Sequence, residues 1–252
     1  MKYKRPIVLS MAGFDPTGGA GVLADVKTFE QHRCLGMAVL TANTNQTESE
    51  FLSVDWFGKQ TITAQLQPLL STYEMAAVKI GIVQNLEILL ELVALVRRTF
   101  PRIPIVWDPV LSASSGFELH DSWNEDWLNQ ILDSIDLITP NVHEVRRIAK
   151  MEDEIEAAFQ LAKRTNVLLK GGHSAVRLGV DLLFEGGIPR EIPSKSETAK
   201  HPSKHGSGCI LSAAIASSLA LGKKLPEACR EAKEYIEKRL SSNEYLLAYH
   251  VE

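Results

Sequence analysis

Cysteine is scarce in this 252-residue chain: Cys34, Cys209 and Cys229 stand far apart, without CxxC or histidine spacing. That argues against a disulfide framework and a structural zinc site, and suits a reducing cytosol as the expected location. An excess of positive charge is also missing. Lys and Arg number 27 against 31 Asp and Glu, a net charge of −4, so nothing resembles a nucleic-acid footprint. No apolar run approaches the roughly 18 residues that a membrane span needs. The run behind the basic start of the chain reaches only Ala12 before Gly13 and Asp15, too short for a signal peptide. Repeats, low-complexity tracts and linkers are absent. What is present, 45% hydrophobic residues over this length, is enough for one large domain over residues 1–252 with a sizeable core.

One stretch stands out: His205-Gly206-Ser207-Gly208-Cys209, followed by the small, apolar run Ile210–Ala216. Two glycines two apart allow a tight turn and a close approach to a ligand. The run behind them reads as a helix starting near Ser207 or Gly208. A helix start carries unpaired N–H groups and partial positive charge, which makes an anion site. Cys209 falls in the first turn, where a thiol pKa is expected to be lowered. A glycine turn ahead of a packing helix is the plainer reading of these residues in isolation.

The remainder alternates between strand and helix patterns. Apolar runs predict strands at Ile7–Ala12, Met37–Thr41, Ala76–Gly81, Ile103–Val110, Leu137–Ile138 and from Val167 into the glycine turn at Gly171-Gly172-His173. Val180–Phe184 and Ile188–Ile192, split by Glu185-Gly186-Gly187, read as a hairpin. Helical periodicity covers Val22–Gln31, Thr61–Ser71, Leu86–Thr99, Trp123–Leu132, Glu154–Arg164, Gly208–Leu221 and Pro226–Leu240, with a flexible loop at Ser112–Gly116. Asn141 and Glu144 have capping-box spacing. The pattern predicts an α/β fold: a mostly parallel sheet with helices on both faces and antiparallel edge strands. Ligands of such sheets sit at the C-terminal ends of the strands. Asp15, Gln46, Asp108, Asn141, Glu144, Lys170 and the Gly206–Cys209 loop all fall after strands or at helix starts, a shared address that independent turns would not produce. Lys79, inside an apolar strand, is expected to pair with a carboxylate. His173 and His205 are expected to fix loop backbones.

In this order the motifs resemble the hydroxymethylpyrimidine and hydroxymethylpyrimidine-phosphate kinases of the ribokinase-like superfamily, with pyridoxal kinases as close relatives. Ala12–Thr28 looks like that family's glycine-rich opening, and Val78-Lys79-Ile80-Gly81, Asp108-Pro109-Val110, Thr139-Pro140-Asn141 with Glu144, Lys170-Gly171-Gly172-His173 and His205–Cys209 match further blocks. The resemblance implies a three-layer α/β/α ribokinase-like fold and an ATP- and Mg²⁺-dependent kinase. Its substrate would be a small heteroaromatic alcohol, either the aminopyrimidine and its monophosphate or a vitamin B6 vitamer. It further implies a homodimer without nucleic-acid or membrane partners. Ala20, Asp25, Gln46 and Ile82, with Asp108 and Val110, would face the substrate. The amides of Gly206, Ser207, Gly208 and Cys209 would cradle the transferred phosphoryl group, with Cys209 near the reacting hydroxyl. Asn141 and Glu144 would organise Mg²⁺ and triphosphate, Glu144 through water, and Lys170 would contact phosphate. Phe14, Ser114, Lys204, the Asn43–Asn45 stretch and the tail from Ser241 depart from the family pattern, which puts the substrate in question more than the reaction. A heterocycle- or nucleotide-binding protein without turnover is the reading from another class.

Overall fold

The computed structural model describes residues 4–111, 124–173, 179–194 and 204–251. The expected loop at Ser112–Gly116, Ser114 within it and the start of the helix expected from Trp123 lie outside the described residues. The strands are β1 (Ile7–Phe14), β2 (Leu35–Gln46), β3 (Phe51–Trp56), β4 (Met75–Ile80), β5 (Ile105–Trp107), β6 (Leu137–Ile138), β7 (Asn166–Leu169), β8 (Asp181–Glu185) and β9 (Ile188–Ile192). They form one sheet in the order β3-β2-β1-β4-β5-β6-β7-β8-β9. The six strands from β2 to β7 in that order are parallel, and β3, β8 and β9 pair antiparallel at the two edges.

Period-two alternation sorts the strand residues between two cores. Leu9, Met11, Val78, Ile80, Ile105, Trp107, Val167 and Leu169 face one side. There they meet α2 (Lys59–Thr72), α3 (Leu86–Thr99), α4 (Glu125–Leu132), α5 (Val142–Ala149) and α6 (Glu154–Ala162). Val8, Ala77, Val106, Leu137 and Leu168 face the other side. Covering it are α1 (Gly21–Gln31), α7 (Ser207–Ala220) and α8 (Leu225–Leu240). Helix α7 is apolar nearly all round, and nine of its residues are buried. A helix of that kind belongs inside the fold, and its Ala- and Ser-rich sequence lets it lie close to the sheet. No described helix is long and apolar enough to cross a membrane.

The chain reverses direction across the sheet at β1: β2 lies to one side of it and β4 to the other. The C-terminal ends of β1 and β4 therefore border a topological switch point, where open α/β sheets leave a crevice. Three elements depart from expectation. β3 was not anticipated: Leu52-Ser53-Val54-Asp55-Trp56 alternates apolar and polar residues, but this edge strand is short and none of its residues is fully buried. β2 continues beyond Thr41 to Gln46, because Ala42–Gln46 pair with β3 instead of turning. β5 is shorter than its apolar run.

One charged pair sits inside this framework. Asp25 of α1 and Lys79 of β4 are completely buried and meet at 2.9 Å, and Ser10 of β1 donates to the same Asp25 oxygen at 2.5 Å. Lys79 thus has the expected carboxylate partner. Burial opposes its charge, but Asp25 and nearby Asp108 hold the ammonium protonated, above its ordinary value. Lys79→Met would leave Asp25 buried without its partner, so the variant is expected to lose about 3–5 kcal/mol of stability. The double variant Asp25→Leu/Lys79→Met should recover most of that loss, measured as urea midpoints of the four members of the cycle.

Candidate active site

A cavity of about 580 Å³ opens at the switch point. Its walls come from the C-terminal ends of β1, β2, β4 and β5, the loop before α1, and the starts of α5 and α7. Ala20, Gln46, Ile82, Asp108, Val110, Asn141, Glu144, Lys170, Gly206, Ser207, Gly208 and Cys209 all line it. Asp25 does not: it lies fully buried behind the wall, spent on Lys79 and Ser10, which corrects its expected contact with substrate. Lys79 itself does reach the wall.

The glycine loop is held from several directions. Gly206 has φ 73°, and a Cβ there would stand 1.9 Å from the carbonyl oxygen of Gly19. Only glycine fits, and its backbone presses against the loop before α1. That loop is organised by Asp15, whose carboxylate accepts from the amide and hydroxyl of Thr17 and from the amide of Ala20 at 2.7 Å. His205 Nε2 joins it at 2.9 Å, and these bonds hold Asp15 below the usual carboxylate range despite its burial. His205 therefore fixes loop backbone, as expected. The tail closes a third side. Lys204 is buried, with Nζ 2.7 Å from both the carbonyl and side-chain oxygens of Asn243 and also bonded to the Tyr245 carbonyl. The His205 amide donates to the Leu246 carbonyl.

Helix α7 begins at Ser207, so the first amides after Gly206 stand at the positive end of the helix without intrahelical acceptors. Beside them Lys170 Nζ contacts Asp108 at 2.9 Å and Glu144 at 3.6 Å. A Cβ on Gly208 would lie 3.3 Å from that Nζ, so this glycine lets the ammonium reach the helix start. Asp108 also accepts from Thr139 and Ser212. Burial pushes its pKa up, but Lys170 and Lys79 together hold it below the ordinary value. Glu144 closes the capping box with Asn141, and burial pushes its carboxyl up against the pull of Lys170.

Cys209 overturns one expectation. Its thiol is not lowered but pushed up to about 11, because burial, with Asp108 and Asp25 near it, outweighs Lys79 and the Gly21 amide. The helix start is too small a counterweight to these opposing effects. Thr44, Phe51, Lys233 and Ile236 also line the cavity and were not singled out as binding groups. Phe51 belongs to the unanticipated β3. The helix that carries Lys233 and Ile236 was legible, but its cavity face was not.

The layers, the strand order and this cavity define the ribokinase-like class of α/β/α fold. The model of the phosphomethylpyrimidine kinase family matches residues 15–251. A hydroxymethylpyrimidine/phosphomethylpyrimidine kinase of Saccharomyces cerevisiae is 36% identical over 93% of this chain and 45% of its own length, so the chain spans about half of that relative. The Aquifex aeolicus enzyme of the same name is 32% identical over 95% of this chain and 96% of its own. An ADP complex of the Bacillus subtilis pyridoxal kinase superposes with a TM-score of 0.83 at 28% identity, covering 95% of this chain and 93% of that one. The chain belongs to the phosphomethylpyrimidine kinase family.

The raised Cys209 pKa has a direct readout. Only about one thiol in 10⁴ is ionised near neutral pH when the pKa is about 11. Alkylation of Cys209 by iodoacetamide, followed by peptide mass spectrometry, should therefore accelerate about tenfold per pH unit up to pH ~10. A plateau near pH 7 would mean that the thiolate is already formed.

Proposed function

We propose that this chain is a cytosolic, homodimeric Mg²⁺- and ATP-dependent kinase. Its acceptor is the hydroxymethyl arm of 4-amino-5-hydroxymethyl-2-methylpyrimidine and of that compound's monophosphate. The observation that carries this reading is the placement of the Gly206–Cys209 helix start and Lys170 on one wall of a cavity whose far end offers Phe14, Gln46, Phe51 and Ile82 to a small ring. Phosphoryl transfer asks for in-line positioning and for neutralisation of charge on the equatorial oxygens. The oriented amides at the start of α7 supply fixed dipoles for that charge, and Lys170 adds a full positive charge. Among the described residues no group of three or more His, Cys, Asp or Glu is placed to hold a metal ion. That suits Mg²⁺, which keeps water and phosphate oxygens and takes one or two carboxylates from a protein. Glu144 and Asp108 are the carboxylates in reach of a triphosphate beside Lys170. When bound, the metal ion spreads the phosphate charge and fixes the angle of the chain. Asn141 and Glu144 are held in place by their mutual cap, so this part of the site needs little rearrangement to receive it.

Cys209 receives the proton of the acceptor hydroxyl in this reading. Only the thiolate can take that proton, and with the thiol pushed up to about 11 the thiolate is the minority form at neutral pH. Its share is then modest, and most of the acceleration comes from the amides and Lys170.

Coupled ADP release on the aminopyrimidine alcohol, on its monophosphate and on pyridoxal tests the substrate; pyridoxal is included because of the likeness to the Bacillus subtilis pyridoxal kinase. Turnover on the two pyrimidines is expected. Turnover on pyridoxal alone would move the assignment to a vitamin B6 kinase, and binding without ADP release would leave a binding protein. Lys170→Met should lower kcat by about 10²–10³, the cost typical of one lost transition-state donor. The kcat/KM profile should climb with pH without levelling below about pH 10, and Cys209→Ala should flatten that climb. A profile that Cys209→Ala leaves unchanged removes the thiol from proton transfer.

A further inference from the structure

Thr44 and Gln46 both point from β2 toward the cavity, two residues apart on one face of the strand. Between them the pairing with β3 shifts register at Asn45/Gln46. The residue left out of the pairing is Leu52 of β3, so β2 keeps its alternation and both side chains stay on one face. Thr44 is buried, with 3% of its surface exposed. Its hydroxyl lies 2.8 Å from the carbonyl oxygen of Phe14, and the Gln46 amide nitrogen lies 2.8 Å from that hydroxyl.

Proton counting fixes the direction of this relay. The Phe14 carbonyl can only accept, so the single hydroxyl proton of Thr44 goes to it. The hydroxyl oxygen then has only lone pairs left for Gln46, and only the amide NH₂ can answer them. Amide oxygen and nitrogen are normally hard to tell apart, and here the network decides between them. Gln46 therefore spends one N–H on Thr44. Its carbonyl oxygen and second N–H remain, and no described residue has a recorded bond to either.

We propose that Thr44 is a positioning residue for substrate selection. By holding the Gln46 amide in one orientation, it makes the ring end of the cavity selective for heteroaromatic alcohols that carry an N–H donor next to a ring-nitrogen acceptor, as a 4-aminopyrimidine does. The 4-oxo analogue presents the reverse order, an acceptor next to a ring N–H. It would face carbonyl with carbonyl and leave polar groups unpaired in the cavity. A site built on hydrogen bonds rejects such a mismatch strongly. The inference rests on the kinase reading above and adds to it the donor pattern of the ring and the residue that enforces it.

The test is the ratio of kcat/KM for the 4-amino and 4-oxo hydroxymethylpyrimidines, measured by ADP release on one preparation of each variant. A ratio is independent of how much of the preparation is folded. The wild-type protein should prefer the amino compound by at least about 100-fold. Thr44→Val keeps the shape and removes the hydroxyl, so the amide is free to turn; the ratio should fall by about tenfold or more, a hydrogen-bond-sized effect. Thr44→Ser retains the hydroxyl and should restore the wild-type ratio. If Thr44→Val keeps the wild-type ratio while the wild type turns over the amino compound, the relay is overturned and the kinase reading stands. If the wild type turns over neither compound, the kinase reading fails and this inference falls with it.

Discussion

Buried charges of alternating sign lie under the cavity, and the site depends on their balance. Asp25 meets Lys79, Lys79 also feels Asp108, Asp108 meets Lys170, and Lys170 reaches Glu144. These side chains come from α1, β4, the end of β5, the end of β7 and the first turn of α5. Desolvation would drive each to neutrality in isolation, and together they hold one another in place. Three carboxylates against two ammonium groups leave no surplus of positive charge. A bare triphosphate would meet little net attraction here, whereas one carrying a divalent cation brings its own neutralisation. The oriented amides at the start of α7 then attract the anion without disturbing that balance.

Geometry around the charges is set by loops distant in sequence. The loop before α1 is wound on Asp15, and His205 binds the same carboxylate across 190 positions. Gly206 permits the two backbones to touch. The tail holds the far side through Lys204, whose ammonium is taken up by tail oxygens and so is not available to a phosphate. A lysine in that place looks from the sequence like an added phosphate contact, and three-dimensional packing gives it a different task.

Much of this was readable before any coordinates, for physical reasons that differ from residue to residue. Leu86–Thr99 was legible because its leucines repeat at helical spacing, and the start of α7 because glycine followed by small residues has few other outcomes. The Asn141–Glu144 cap is a local interaction, and local interactions leave a spacing behind them. What escaped was non-local. The edge strand β3 alternates over only five residues, Leu52 to Trp56, and its place is set by pairing with β2. Asp25 reads as a helix-start acid unless one knows that it faces Lys79 across the layer. The Cys209 thiol follows the helix-terminus rule until its burial and the carboxylates near it are known.

The meeting of the first glycine loop, the loop before α7 and the tail also bears on synthesis. The peptide that holds Asp15 emerges from the ribosome long before His205, and Asn243 to Leu246 follow later still. A growing chain can assemble β1, α1 and β2 early, since these contacts are near in sequence, yet it cannot form the cradle until residues beyond 240 are free. A ligand that binds the cradle can therefore stabilise the nascent chain only once residues beyond 240 have emerged.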